Sequence, residues 1–148
     1  MEQRFDFFAL APKGFQAMRG VHGYVDGCGL ELGLLELLRL RISQMNGCAY
    51  CVAMHVPIAR QHGVSDAQLN LLAVWREATV FSARERAALA WGEALTRLAD
   101  SSGLAAVIWD QASAVFSPKE MADLSLAVAE INGWNRLMVG AGMGYLET

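Results

Sequence analysis

Residues 31–63 read ELGLLELLRLRISQMNGCAYCVAMHVPIARQHG, and this stretch decides the fold. Its first half carries apolar side chains at the helical spacing of three, four and seven: Leu35, Leu38, Ile42 and Met45. Because positions so spaced share one helix face, we expect a helix from about residue 31 to 45. The Asn-Gly pair at 46–47 tolerates the left-handed conformation that ends helices. A second helix is then expected over 48–62, with Gly63 as its stop.

The rest of the chain also carries helical signals, and no convincing alternation of apolar and polar residues predicts a strand. Three capping boxes mark helix starts: Ser65 with Gln68, Ser82 with Glu85, and Ser117 with Glu120. Further helices are expected over 12–25, after Ser65, over 83–98, over 105–115, and from Pro118 into the glycine-rich end. We therefore predict an all-α fold of about seven helices.

Length, charge and hydropathy narrow the class of protein. No proline- or serine-rich linker divides the 148 residues, so we expect one domain over residues 1–148. The sequence contains no run of about 18 uncharged apolar residues, the length needed to span a bilayer. Its first residues lack the basic segment followed by an apolar segment that is typical of a signal peptide. We therefore expect a cytoplasmic protein without a membrane partner. A net charge of -3 leaves no basic stripe for nucleic acid. The high hydrophobic fraction, 54%, predicts that copies of the chain bury apolar surface in a homo-oligomer.

A Cys-x-x-Cys-x-x-x-His run comprises Cys48, Cys51 and His55. Steps of three, four and seven residues place these side chains on one helix face, with Cβ atoms of neighbours roughly 5–6 Å apart. A disulfide needs Cα atoms about 4.4–6.8 Å apart, so the two cysteines can bridge within one helical turn. The third cysteine, Cys28, lies between two glycines in a predicted loop and is interpreted as incidental. We therefore expect redox chemistry from the pair, because three cysteines without an export signal argue against a structural disulfide framework.

Either cysteine of the pair could be the nucleophile. A helix N-terminus and an adjacent imidazole both lower the pKa of a thiol, and the thiolate is the form that attacks. The helix dipole alone favours Cys48, whereas the four-residue step to His55 favours Cys51. We select Cys51, because a base in contact can also carry the proton. Glu36 can approach His55 from the preceding helix and orient its imidazole, although a solvated ion pair of Glu36 with Arg39 is the simpler interpretation.

A family resemblance becomes specific at residues 39–55, RLRISQMNGCAYCVAMH, taken together with Glu36. These residues resemble the core motif of the AhpD-like alkylhydroperoxidases, within the carboxymuconolactone decarboxylase superfamily. The similarity continues in three segments: VWRE at 74–77, SARERAALAWGEAL at 82–95 and INGWNR at 131–136. It implies an all-helical subunit that forms trimers or hexamers, with attack on peroxide at the position of Cys51 and resolution at that of Cys48. It also implies a lipoyl-type dithiol protein as reductant, with a thioredoxin-like protein as the fallback.

One position departs from the family pattern. Well-studied alkylhydroperoxidases carry a histidine immediately before the second cysteine, and here that position is Tyr50. Tyrosine has a pKa of about 10, so Tyr50 is at most an auxiliary hydrogen-bond donor, and turnover or substrate can differ. We predict a thiol-dependent peroxidase or related dithiol–disulfide oxidoreductase that uses no metal or organic cofactor. Decarboxylase members of the superfamily lack the cysteine pair, so the pair favours redox chemistry over lactone decarboxylation. Two alternatives stay open: a dithiol sensor or superfamily member without peroxidase turnover, and a zinc-binding module that is short of a fourth ligand.

Overall fold

A computed structural model describes residues 2–144. It contains eight α-helices: α1 Phe7–Leu10, α2 Pro12–Asp26, α3 Leu32–Met45, α4 Ala49–Gln61, α5 Asp66–Leu71, α6 Ala83–Thr96, α7 Ala106–Ser113 and α8 Pro118–Ala141. Two 3₁₀ helices, Leu72–Glu77 and Leu98–Asp100, follow α5 and α6. No strand occurs within residues 2–144, so the all-α prediction is confirmed. A search of the same residues finds no helix with the length and apolar character needed to cross a membrane.

Local capping sets most of the helix starts. In all three predicted capping boxes the serine side chain accepts from the backbone N–H three residues on, and that residue's side chain accepts from the serine N–H. The starts of α5, α6 and α8 are therefore confirmed. The helix that was not predicted is α1, which has only four residues. It begins where Asp6 Oδ1 accepts from the N–H of Ala9 at 3.1 Å, and it is too short to show a helical period.

Helices α3 and α4 form an antiparallel hairpin. The connection turns at Gly47, whose φ of +67° lies in the left-handed region that glycine adopts without steric cost. The open ends of the hairpin meet at Gly33, where a Cβ atom would lie 2.9 Å from the carbonyl oxygen of His62. Glycine at this position therefore allows the start of α3 to pack closely against the end of α4.

Helix α3 lies at the centre of the bundle and is buried on every side. One face packs Leu35, Leu38 and Ile42 into a core with residues of α6 and α8. The opposite face packs Leu37 and Leu40 into a second core, against α4, α6 and the first 3₁₀ helix. A helix with apolar residues on two opposite faces is buried in the interior. Polar side chains on α3 are therefore placed in dry surroundings, which matters for the site below.

The N-terminal segment is tied to the end of α8. The backbone N–H of Arg4 donates to the carbonyl of Ala141 at 2.8 Å, and its guanidinium donates to the carbonyls of Val139 and Gly140. These bonds hold α1 against a third apolar cluster, which contains both cysteines of the predicted pair and Met138. The segment therefore covers the cysteine pair.

Candidate active site

The structure pairs Cys48 with Cys51. Cys48 is the N-cap of α4, with extended backbone angles, and its Sγ accepts from the N–H of Cys51 in the first turn. The Cα atoms are 5.3 Å apart, the two Sγ atoms are at disulfide distance, and both side chains are buried. Cys28 is a free, half-buried thiol in the turn after α2. The pair is thus formed within one helical turn, as the spacing indicates.

His55 lies on α4 one turn after Cys51, and its imidazole contacts Glu36 of α3. The Nδ1 atom is 2.6 Å from Glu36 Oε2, and both side chains are buried. Burial alone raises the pKa of Glu36, but the hydrogen bonds and charges of His55 and Arg39 outweigh it and hold the pKa below its ordinary value. Glu36 is therefore a carboxylate that accepts from Nδ1–H, which leaves Nε2 of His55 for a second partner.

Arg39 fixes the other oxygen of Glu36. Its Nη1 donates to Glu36 Oε1 at 2.7 Å and lies 2.8 Å from Asp26 Oδ1, while Nη2 donates to Glu130 Oε2 at 3.3 Å. The arginine is only 1% exposed. The interpretation of Glu36 and Arg39 as a solvated pair is therefore wrong, because α3 lies in the interior. Buried charges need partners, and this one cation serves three carboxylates.

A cavity of about 420 Å³ opens beside the candidate site residues. Cys51, His55 and Glu36 line it together with Tyr50, whereas Cys48 does not. The remaining walls are apolar or charged side chains, chiefly Phe8, Phe15, Met54, Ile58, Trp134 and Met138, with Arg19, His22 and Asp26. Only one sulfur of the pair thus borders the space that a small molecule can enter.

One charged wall of this cavity was not predicted. His22 places Nδ1 at 2.6 Å from Glu130 Oε1 and Nε2 at 3.2 Å from Asp26 Oδ2. Trp134, interpretable from sequence only as a core or interface residue, donates its Nε1–H to Glu130 at 3.0 Å. The four-residue step from His22 to Asp26 was visible in the sequence. Glu130 lies 108 residues away from His22, so no local pattern connects them.

A zinc site would need several ligand side chains grouped around one point. Across residues 2–144, no group of three or more His, Cys, Asp or Glu side chains has a geometry suited to a metal ion. His55 directs one ring nitrogen at Glu36, a position typical of an oriented base. The site consists of two cysteines at disulfide distance beside a histidine–carboxylate pair.

Comparison with known proteins places this site in a family. Residues 10–94 match the sequence model of the carboxymuconolactone decarboxylase family. The chain belongs to this family. The matched range contains Glu36, both cysteines of the pair and His55. In this carboxymuconolactone decarboxylase family member, the candidate site residues therefore lie inside the family segment.

Individual relatives agree with the AhpD-like fold. The uncharacterized protein YdfG of Bacillus subtilis is 32% identical over 142 residues, which cover 96% of each chain. A crystal structure from Agrobacterium tumefaciens, of a protein of unknown function provisionally named antioxidant defence protein AhpD, matches with a TM-score of 0.93 and 36% identity, covering 99% of this chain and 100% of that one. A shorter alignment, with the alkyl hydroperoxide reductase AhpD of Rhizorhabdus wittichii, is 46% identical over 37 residues. It covers 25% of this chain and 21% of that protein. The predicted family and fold class are confirmed.

Proposed function

We propose that the protein is a thiol-dependent peroxidase of the AhpD type, or a closely related dithiol–disulfide oxidoreductase. The observation that carries the proposal is the position of Cys51, which borders the cavity one helical turn from a histidine held by a buried carboxylate. Its partner Cys48 lies at disulfide distance but away from the cavity. This arrangement suits a cysteine that meets the substrate and a second cysteine that resolves the product.

In the proposed reaction, His55 accepts the thiol proton of Cys51, and the thiolate attacks one oxygen of a hydroperoxide ROOH. The O–O bond breaks, the sulfur becomes a sulfenic acid, and the departing oxygen takes the proton from His55 to leave as ROH. Cys48 then attacks the sulfenic sulfur, water leaves, and a disulfide forms. Two thiols have lost two electrons and the peroxide has gained them, so the step balances without a metal or organic cofactor.

Glu36 and Tyr50 have supporting roles in this proposal. As a carboxylate beside Nδ1–H, Glu36 would orient the imidazole and stabilise its protonated form during proton transfer. Tyr50 lines the cavity and can donate a hydrogen bond to the peroxide, but it is a poor base. The histidine expected at that position in the family would be a better base. Turnover is therefore expected to depend on His55 alone for proton transfer.

A reductant must restore the dithiol after each turnover. Cys48 and Cys51 are each only 1% exposed. A reductant protein whose reactive thiols lie on a flat surface therefore cannot reach the disulfide directly. A slender arm entering the cavity reaches Cys51, which favours a lipoyl-type dithiol protein over a thioredoxin-like one. Access from the cavity side would direct the first attack to the Cys51 sulfur.

The oligomer is proposed as a homotrimer or homohexamer. Several large apolar side chains are at least 44% exposed in the isolated chain: Leu10, Val74, Val107, Trp109, Leu98, Met54, Phe5 and Val139. Their exposure supports burial between copies of the chain. Light scattering at micromolar concentration should give a mass of three or six chains, and a monomeric mass would contradict the proposal.

Thiol counting tests the function directly. The reduced protein has three thiols, and one equivalent of an organic hydroperoxide should leave one, which mass mapping should assign to Cys28. A coupled assay with a lipoyl-type reductant then measures turnover. A loss of two thiols without turnover under any dithiol reductant would identify a sensor. No loss of thiols would refute the peroxidase.

A further inference from the structure

The cavity is lined by aromatic side chains as well as by charged ones. Three aromatic rings form a continuous edge-to-face chain, with Phe8 and Phe15 centroids 4.9 Å apart and Phe15 and Trp134 centroids 6.0 Å apart. Phe8 and Trp134 pack against the cluster that contains Cys51. All three rings line the cavity. Rings packed in this way offer a rigid apolar surface that suits another ring or a bulky branched group.

The acidic side chains of the cavity already have partners within the protein. Asp26 and Glu36 each pair with Arg39, and His22 lies between Asp26 and Glu130. These contacts hold the three carboxylates in place within the protein.

Arg19 is different from the other charged groups of the cavity. It lies on α2 one turn before His22, lines the cavity, and is exposed. Within residues 2–144 its guanidinium has no ion-pair or hydrogen-bond partner, unlike that of Arg39. A planar guanidinium presents paired donors that match a carboxylate. The solvent side of the cavity thus offers a positive charge that is free to bind an anion.

The size of the cavity indicates a large substrate. Its volume of about 420 Å³ lies within the range of roughly 300–1,000 Å³ for small-molecule sites, and a single water occupies about 30 Å³. Hydrogen peroxide or a short alkyl hydroperoxide would leave most of the aromatic wall uncovered. An organic molecule with a bulky apolar body would cover it.

We propose that the substrate is an organic hydroperoxide with a bulky, aromatic body and a carboxylate that binds Arg19. This inference rests on the proposed peroxidase function and adds the class of substrate. The apolar body packs against Phe8, Phe15 and Trp134, the carboxylate pairs with Arg19 at the solvent side, and the peroxide group lies at Cys51. Arg19 is therefore a specificity-determining residue.

Binding of unreactive product analogues tests the proposal without relying on activity. The probes are 2-phenyl-2-propanol and its para-carboxylate, which differ only in the charged group, and calorimetry measures their affinity for the reduced protein. The carboxylate should bind about tenfold more tightly. Arg19→Gln should abolish that difference, and Arg19→Lys should restore most of it. Lys13→Gln, the same loss of charge at an exposed position of α2 that does not line the cavity, should leave it unchanged.

Two results would overturn the proposal: equal affinity of the two probes for the natural protein, including no detectable binding of either, or a preference that survives in Arg19→Gln. The rate of Cys51 oxidation by cumene hydroperoxide and by its para-carboxylate then separates the two levels of inference. Equal rates with both peroxides would leave the peroxidase standing and refute the role of Arg19. Tighter binding of the carboxylate probe without oxidation of Cys51 by either peroxide would support the anion site at Arg19 and refute the peroxidase function.

Discussion

His55 and Glu36 are 19 residues apart in the sequence, yet His55 Nδ1 lies 2.6 Å from Glu36 Oε2 in a buried contact between α4 and α3. The turn at Gly47 makes this possible, because it folds α4 back along α3. Arg39 holds the second oxygen of Glu36, so the carboxylate cannot rotate freely. The imidazole is thus oriented before any substrate arrives, which reduces the reorganisation needed for proton transfer.

Substitution of the two cysteines of the pair should block the reaction at different steps. Cys51→Ser should abolish peroxide consumption, because it removes the sulfur that borders the cavity. Cys48→Ser should still consume about one equivalent and stop at a sulfenic acid, which a dimedone-type probe traps. Mass spectrometry of the labelled proteins measures the outcome, and Cys28→Ser is the matched control that should behave like the natural protein. Trapping in Cys51→Ser instead would reverse the assigned roles.

His55 and Glu36 should set the rate of the first oxidation. His55→Ala should slow it by about a hundredfold, since a positioned acid–base group contributes roughly 10²–10⁴-fold. Glu36→Gln should slow it less, by about tenfold, because the amide keeps a hydrogen bond but not the charge. Stopped-flow measurement of thiol loss in a single turnover distinguishes this step from reduction. Both variants should still end as the disulfide, and a variant that stops at sulfenic acid would show a role in resolution instead.

Arg39 should matter for stability as well as for orientation of the site. Arg39→Met leaves the carboxylates of Glu36 and Glu130 buried without their cation, so the free energy of unfolding should fall by about 3–5 kcal/mol. Urea denaturation measures this change. Arg60→Met is the matched control, because the Arg60 pair with Asp66 is exposed and such pairs contribute about 0–1 kcal/mol. Equal effects of the two substitutions would show that the buried cluster is not coupled in this way.

Glu93 should contribute to a decrease in the free energy of unfolding at acidic pH. Burial raises the pKa of its carboxyl, but hydrogen bonds from Trp75, Arg41 and Arg76 outweigh it and lower the pKa. A lowered pKa adds stability above the unfolded value, about 4.3, and this stability is lost as pH falls through the folded value. The urea concentration at the unfolding midpoint should therefore decrease as the pH is lowered below about 4.3. Glu93→Gln should make this decrease with pH less steep. Glu77→Gln, at an exposed site, serves as the control and should keep the natural slope.

The sequence predicts local features of this fold well. Serine caps and the turn at Gly47 depend on a few neighbouring residues, and the starts of α5, α6 and α8 follow from them. The cysteine–histidine spacing is also local, since it needs only one regular helix. Glu36 required one further assumption, that the chain folds back between α3 and α4, and that assumption was correct.

Other features depend on contacts that the sequence does not reveal. The apolar stripe on α3 indicated one buried face, but a second stripe at Leu37 and Leu40 places the helix in the centre, and Arg39 is buried with it. The position of His22 against Glu130 joins α2 to α8 and needs the packing of the whole bundle. Such long-range contacts have no characteristic spacing, so a single sequence cannot predict them.

The aromatic wall of the cavity comes from a different part of the chain than the proposed reactive groups. Sulfur, base and carboxylate lie within residues 36–55, on one helical hairpin, whereas Phe8, Phe15 and Trp134 come from α1, α2 and α8. Substitutions at these three aromatic positions can therefore alter which molecule fits without replacing a residue of the proposed redox centre. Relatives that keep this hairpin but differ in the outer helices should therefore share the proposed thiol chemistry and differ in the molecules that they accept.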